Sequence, residues 1–187
     1  MKKKVLVIAL IVVCLSILAY STTAYFTYKD TATNVITMGK LRIEICETAF
    51  TNEGIVPFRN PINVLPGTSV SKIVEVKNVG AAAAWIRISL DESIVLAQNV
   101  YGKADLSLIS YDINRTDWIE HDGYYYYIAP LMTGEATHPL FTKVYFSRYM
   151  GNMYQESVAF VNVHAEATQV ANNGTNVLEA LGWPSAD

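Results

Sequence analysis

The sequence predicts an all-β protein, an antiparallel β-sandwich of jelly-roll type with short helices, preceded by an N-terminal signal helix. Three observations predict it. Apolar and polar residues alternate with period two in several separate segments, Gly, Pro, Asn and Asp interrupt the chain at strand-length intervals, and the one long apolar run follows directly on three lysines at the N-terminus. With 187 residues, 51% hydrophobic and 17% charged, the chain has the apolar material for a packed domain. Its formal charge of −3 falls further when the N-terminal lysines are set aside, which argues against a nucleic-acid partner, because phosphate binding needs a basic face. Two cysteines, Cys14 and Cys46, supply neither a disulfide framework nor a paired-cysteine zinc motif.

Taken in order, Lys2-Lys3-Lys4 leads into the apolar run from Val5 to Tyr20, and Ser21-Thr22-Thr23-Ala24 closes it with small residues. Basic, apolar and then small is the order of an export signal. The run is shorter than the ~20 residues that span a bilayer comfortably. Cleavage and retention as a membrane anchor are both compatible with it, and cleavage between Ala24 and Tyr25 is the expectation. Residues 1–24 are then a signal peptide, the mature chain is secreted, and membrane contact occurs only through an uncleaved signal segment. A lipoprotein box is a poor fit, since Cys14 lies inside the apolar run and follows the bulky Val13; a pilin leader is a poorer one, since Lys4 stands where a processing glycine would.

Beyond the signal the pattern is that of strands. Leu41, Ile43 and Ile45 alternate with Arg42, Glu44 and Cys46; Ala84, Ile86, Ile88 and Leu90 alternate with Trp85, Arg87 and Ser89; Ala159, Val161, Val163, Ala165 and Ala167 oppose Phe160, Asn162, His164, Glu166 and Thr168. Further strands are expected at residues 70–79, 106–111, 115–120, 124–128 and 140–146, which makes about eight, enough for a sandwich or jelly roll. Leu65-Pro66-Gly67-Thr68 has the Pro and Gly of a type II turn, and Asp122-Gly123 marks a tight hairpin ahead of four consecutive tyrosines, read here as packing rings and not as a ligand platform. A short helix is expected over residues 175–181, capped by Thr175 or Asn173 and ended by Gly182, with Trp183 covering the core.

Chemistry is sparse. His121, His138 and His164 are too far apart for a helix to carry two of them at zinc-protease spacing. His164 and Glu166 share a strand face and read as a solvated pair. Asp112-Ile113-Asn114-Arg115-Thr116-Asp117 places oxygen side chains at alternate positions like the start of a calcium loop but lacks its glycine and its final glutamate, so a plain turn is expected. Cys46 reads as a free, non-catalytic thiol, with disulfide dimerisation as the other reading. No catalytic residue, metal ligand or cofactor is expected.

The junction Ala24-Tyr25-Phe26-Thr27, then Asp30-Thr31-Ala32-Thr33-Asn34 and Ile36-Thr37-Met38-Gly39-Lys40-Leu41-Arg42-Ile43, resembles the start of the TasA and camelysin family. The resemblance continues in Leu65-Pro66-Gly67-Thr68, in the run from Lys72 to Gly80 and in Ala180-Leu181-Gly182-Trp183-Pro184. It implies a secreted biofilm-matrix protein with a jelly-roll fold, processed by a SipW-type signal peptidase and assembled into extracellular fibres with copies of itself or a related matrix subunit. It also implies an extended donor strand over residues 25–39, in which Tyr25, Phe26, Tyr28, Val35 and Ile36 would fill a groove on the next subunit, and a sandwich domain over residues 40–187. Lys40-Leu41-Arg42 is more basic than that opening is in the family. Camelysin is described as a surface metallopeptidase, so the resemblance carries an enzymatic alternative ranked second; a ligand-binding surface domain ranks third.

Overall fold

The computed structural model describes residues 41–98 and 100–184. The signal segment with its Ala24–Tyr25 cleavage point, and the donor positions Tyr25, Phe26, Tyr28, Val35 and Ile36, lie outside the described residues. The described chain is all-β, and every strand pairing in it is antiparallel. In chain order the strands are β1 (Ile43–Thr51), β2 (Gly54–Pro57), β3 (Ile62–Asn63), β4 (Ser69–Ser71), β5 (Ile73–Asn78), β6 (Ala84–Val95), β7 (Ile109–Tyr111), β8 (Trp118–His121), β9 (Tyr124–Tyr127), β10 (Lys143–Phe146) and β11 (Val158–Gln169). They form three sheets, ordered β2-β1-β5, β4-β10-β7 and β3-β11-β6-β9-β8.

The two strands with the longest alternation make the longest ladder. β6 and β11 pair from Ala84 opposite Gln169 to Val95 opposite Val158. One face of that ladder carries Ile86, Ile88, Val161 and Ala165, all buried. They join Ile43, Val74 and Val76 from the first sheet, Leu41 just ahead of it, and Ile109, Val144 and Phe146 from the second in one core. Burying each large aliphatic side chain is worth about 1.5–3 kcal/mol, so this shared core is what holds the three sheets together.

Turn chemistry supports the sheets. Gly67 has φ 74°, and Thr68 donates its backbone N–H to Leu65 O at 3.2 Å, so Pro66-Gly67 turns the chain into β4. Asp122 and Gly123 both have positive φ, 48° and 79°, as a type I′ turn demands, and this sets His121 opposite Tyr124 in the β8–β9 hairpin. The tyrosines of β9 divide by parity, Tyr125 and Tyr127 toward the main core and Tyr124 and Tyr126 toward a second cluster with Trp85 and Trp183.

Several expected elements are shorter or differently placed. The run over residues 70–79 is two strands, because the chain leaves one sheet for another at Lys72, whose N–H bonds Thr142 O at 3.0 Å. Residues 106–108 form a 3-10 turn, capped by the Asp105 carboxylate accepting from Ser107 N, and only Ile109–Tyr111 is strand. β8 begins at Trp118, after a turn over residues 115–117, and β10 begins at Lys143, after three non-strand residues. The expected helix over 175–181 shrinks to the 3-10 turn Val177–Glu179, and its cap is Asn176, not Thr175 or Asn173. Trp183 covers the second cluster on the far face of the five-stranded sheet, not the main core.

Candidate functional site

β1 presents Ile43 and Ile45 inward, in step with Leu41 just before it, and the same parity carries Glu47 inward as well. On β5 the inward positions Val74 and Val76 continue backward to Lys72. The two charges therefore meet beneath the β2-β1-β5 sheet: Lys72 Nζ lies 2.5 Å from Glu47 Oε1 and 3.9 Å from the centre of the Phe58 ring. Phe58 is held there by its N–H, which donates to Glu47 O at 3.0 Å. The Lys72 side chain is 0% exposed. Burial lowers its pKa more than the Glu47 carboxylate restores it. The sequence carries a signal for this pair, a charge on each of two otherwise apolar faces, and sequence reasoning missed it.

Above the same sheet the surface is apolar. Phe50 on β1 and Ile55 on β2 are directly opposite one another and are 61% and 62% exposed. β2 is an edge strand, and Pro57 at its end, with no N–H to give, suits that place. Cys46 lies between them and the start of β1, partly buried, as a free thiol. Burial raises its pKa, and Glu75 and Glu44 add to the rise against Lys77. Such a thiol stays protonated at neutral pH and is a poor nucleophile.

A second charged cluster sits on the five-stranded sheet. Glu166 is not solvated as expected. It accepts from Arg87 Nε at 2.6 Å and Nη2 at 2.5 Å, and the two side chains are only 12% and 15% exposed. The guanidinium lies 3.9 Å from the Tyr124 ring centre and 4.7 Å from that of Trp183, and Nη1 donates to Tyr126 Oη at 3.3 Å. Burial works against this charge, yet the bonds to Tyr126 and Glu166 outweigh it and raise the pKa. The C-terminal strap is fastened over this floor. Asn173 exchanges two hydrogen bonds with Leu181, Oδ1 accepting from its N–H at 2.8 Å and Nδ2 donating to its carbonyl at 2.9 Å. Trp183 meets Tyr126 edge-on at 5.7 Å.

The Asp112–Asp117 segment is a structural turn. Asp112 accepts from Thr142 N at 2.9 Å, Thr142 Oγ1 at 2.5 Å and Lys143 N at 2.7 Å, which fixes the start of β10. Burial pushes its carboxyl up, but these donors outweigh that and hold it below the ordinary range. Asn114 accepts from the N–H groups of Thr116 and Asp117, and Asp117 lies 2.9 Å from His138 Nδ1. Both Asp112 oxygens, Asn114 Oδ1 and Asp117 Oδ2 thus have protein partners. His121 and His138 each sit beside a single carboxylate, and no group of three His, Cys, Asp or Glu residues comes together among the described residues. No described helix is long and apolar enough to cross a membrane. What the arrangement can do chemically is hold a sheet rigid from below while offering an uncharged edge and an apolar pair above. No family model, curated protein or solved structure matches the chain.

Proposed function

We propose that the chain is a secreted structural subunit of extracellular biofilm-matrix fibres, with a jelly-roll-type sandwich as its body and N-terminal strand addition as its means of polymerising. The observation that carries this reading is an all-antiparallel β body with a four-residue edge strand, β2, that bears no charge, in a chain whose residues 25–39 have the sequence character of an added strand. Ahead of that segment stands the basic, apolar and small-residue order of an export signal, whose processing would free Tyr25 as the new N-terminus. The motifs shared with the TasA and camelysin family run in the same order from Tyr25 to Pro184. Thr27, Thr31, Thr33 and Thr37 keep the segment polar and favour extended backbone, while its five large apolar or aromatic residues supply contacts. Strand addition of this kind takes affinity from backbone hydrogen bonds and register from alternating side chains, and repeated head to tail it gives an open filament.

The test is export of the full chain and of a variant lacking residues 25–39 from the same host. N-terminal sequencing should find Tyr25, and electron microscopy should find fibres only from the full chain. Fibres of equal number and form from the deletion variant would exclude strand addition, and an intact apolar run on the released protein would replace secretion by anchoring.

A further inference from the structure

The described sheets end in six edges, and five of them are short, covered or charged. The far side of β5 is followed by residues 134–141, with Gly134 N to Asn78 O at 2.8 Å, Thr137 N to Val76 O at 2.8 Å and Leu140 N to Val74 O at 2.8 Å. β3 has two residues. β4 has three and receives Phe50 N on Ser71 Oγ at 2.9 Å. β7 has three and runs straight into Asp112. β8 has four but carries Glu120 and His121. Only β2, Gly54-Ile55-Val56-Pro57, combines four residues with no charge and no described partner on its outer side. Proteins blunt exposed edges with charge or cover because a bare edge recruits another strand.

The ladder shows which groups that edge offers. Phe58 N bonds Glu47 O, so alternate residues of β1 from Glu47 onward face β2, and Val56 is bonded inward to Ala49. Ile55 therefore turns its N–H and C=O outward, and its side chain stands beside exposed Phe50. Pro57 adds a second outward carbonyl and no donor.

The geometry points to the outer edge of β2 as the acceptor for residues 25–39 of a second copy of this chain, with Ile55 supplying the outward donor and the Phe50–Ile55 pair the apolar bed. This rests on the fibre reading and adds the location of the groove to it. The occupant is chosen on length and charge. Fifteen residues reach about 50 Å when extended, ample to cross to a neighbour. Lys29 and Asp30 cancel, so the side chains of the segment bring no net charge to an uncharged edge, and the freed Tyr25 amine sits at its far end. The aromatic and aliphatic residues of the segment match the exposed Phe50–Ile55 pair beside that edge.

Two variants of the full exported chain test the assignment. Ile55→Pro deletes the outward N–H at an edge position that tolerates proline, and Ile55→Lys keeps the backbone but places a charge on the edge. Circular dichroism confirms that each remains folded, and Ile119→Lys on β8 is the control. Assembly, followed by light scattering and electron microscopy, should slow on the order of tenfold or more in both Ile55 variants and be unchanged in the control. Hydrogen exchange should show the Ile55 amide protected in fibres and not in dilute monomer. If deletion of residues 25–39 stops fibres but both Ile55 variants assemble at the wild-type rate, the β2 assignment falls and the fibre reading stands. If the wild-type chain forms no fibres, both fall. Assembly blocked at Ile55 but indifferent to loss of residues 25–39 would overturn the occupant in favour of edge-to-edge pairing, and protection of Ile55 in monomer at every dilution would overturn the second copy in favour of the chain's own segment.

Discussion

Two ion pairs in this molecule have opposite electrostatic characters. Lys72 and Glu47 meet under a sheet, and there the loss of water outweighs the attraction, so the lysine pKa falls. Arg87 and Glu166 meet on a sheet face beneath a strap, and there two bonds to one carboxylate oxygen, a phenol and two aromatic rings outweigh burial, so the arginine pKa rises. The difference lies in the cation. A guanidinium is weakly hydrated, planar and able to stack, whereas an ammonium is a strongly hydrated point charge that gives up more water than one carboxylate and one ring can replace. A buried pair of the first kind strengthens its surroundings, and one of the second kind mainly fixes a geometry.

The comparison breaks most visibly when one charge of the inner pair is stranded. Glu47→Ala leaves Lys72 buried and unpaired and should destabilise the fold by about 3–5 kcal/mol in urea denaturation. Arg87→Ala removes a charged hydrogen-bonded pair and two ring contacts nearer the surface, and a smaller loss of about 1.5–3 kcal/mol is expected. Trp183→Ala keeps the salt bridge but strips one stacking ring and the Tyr126 contact, for a loss of about 1–2 kcal/mol with a visible change in near-ultraviolet circular dichroism. A titration of stability sharpens the contrast further. Lys72 has a folded-state pKa below its ordinary 10.5, so the unfolded chain binds more protons there, and its burial cost is present at neutral pH and disappears as pH rises through the folded value toward 10.5. Wild type minus Lys72→Met should therefore gain stability with rising alkaline pH, while wild type minus Arg87→Met should stay flat over the same range. The smallest effect belongs to Lys72→Met with Glu47→Leu together. Replacing both charges by apolar groups should leave stability unchanged or slightly higher, and a loss as large as that of Glu47→Ala would mean the inner pair is a net stabiliser after all.

Alternation made β1, β6 and β11 legible, and turn chemistry made the Pro66-Gly67 and Asp122-Gly123 reversals legible, because in each case a local rule and the fold agree. The missed parts are those decided by distant contacts. β2 and β3 are too short to show a period, and only their partners β1 and β11 make them strands. The break at Lys72 is invisible locally, since Val70, Ile73, Val74 and Val76 favour extended backbone on both sides of it; what ends β4 is that Val70 pairs with Val144 while Ile73 pairs with Thr48 in another sheet. Glu166 read as solvated because its own strand face is polar, and the rings that cover it come from β9 and the C-terminal strap, far along the chain. The candidate edge at Ile55 had no signal beyond an uncharged tetrapeptide.

The β6–β11 ladder, the spine of the five-stranded sheet, also governs time. Its nearest rung joins Val95 to Val158, so all of residues 96–157 must be looped out before the first of its contacts can form. Closing such a loop costs entropy before any pairing repays it, which puts this chain among the slow folders, on the order of milliseconds to seconds, and not among the microsecond ones. Until β11 has been synthesised, β6 has only the short pairing of Arg87 and Ile88 with β9 and most of its length lacks its ladder partner. A chain emerging from its N-terminus can pair β1, β2 and β5 early, but its five-stranded sheet waits on its last strand, and that interval is when it is most exposed to aggregation.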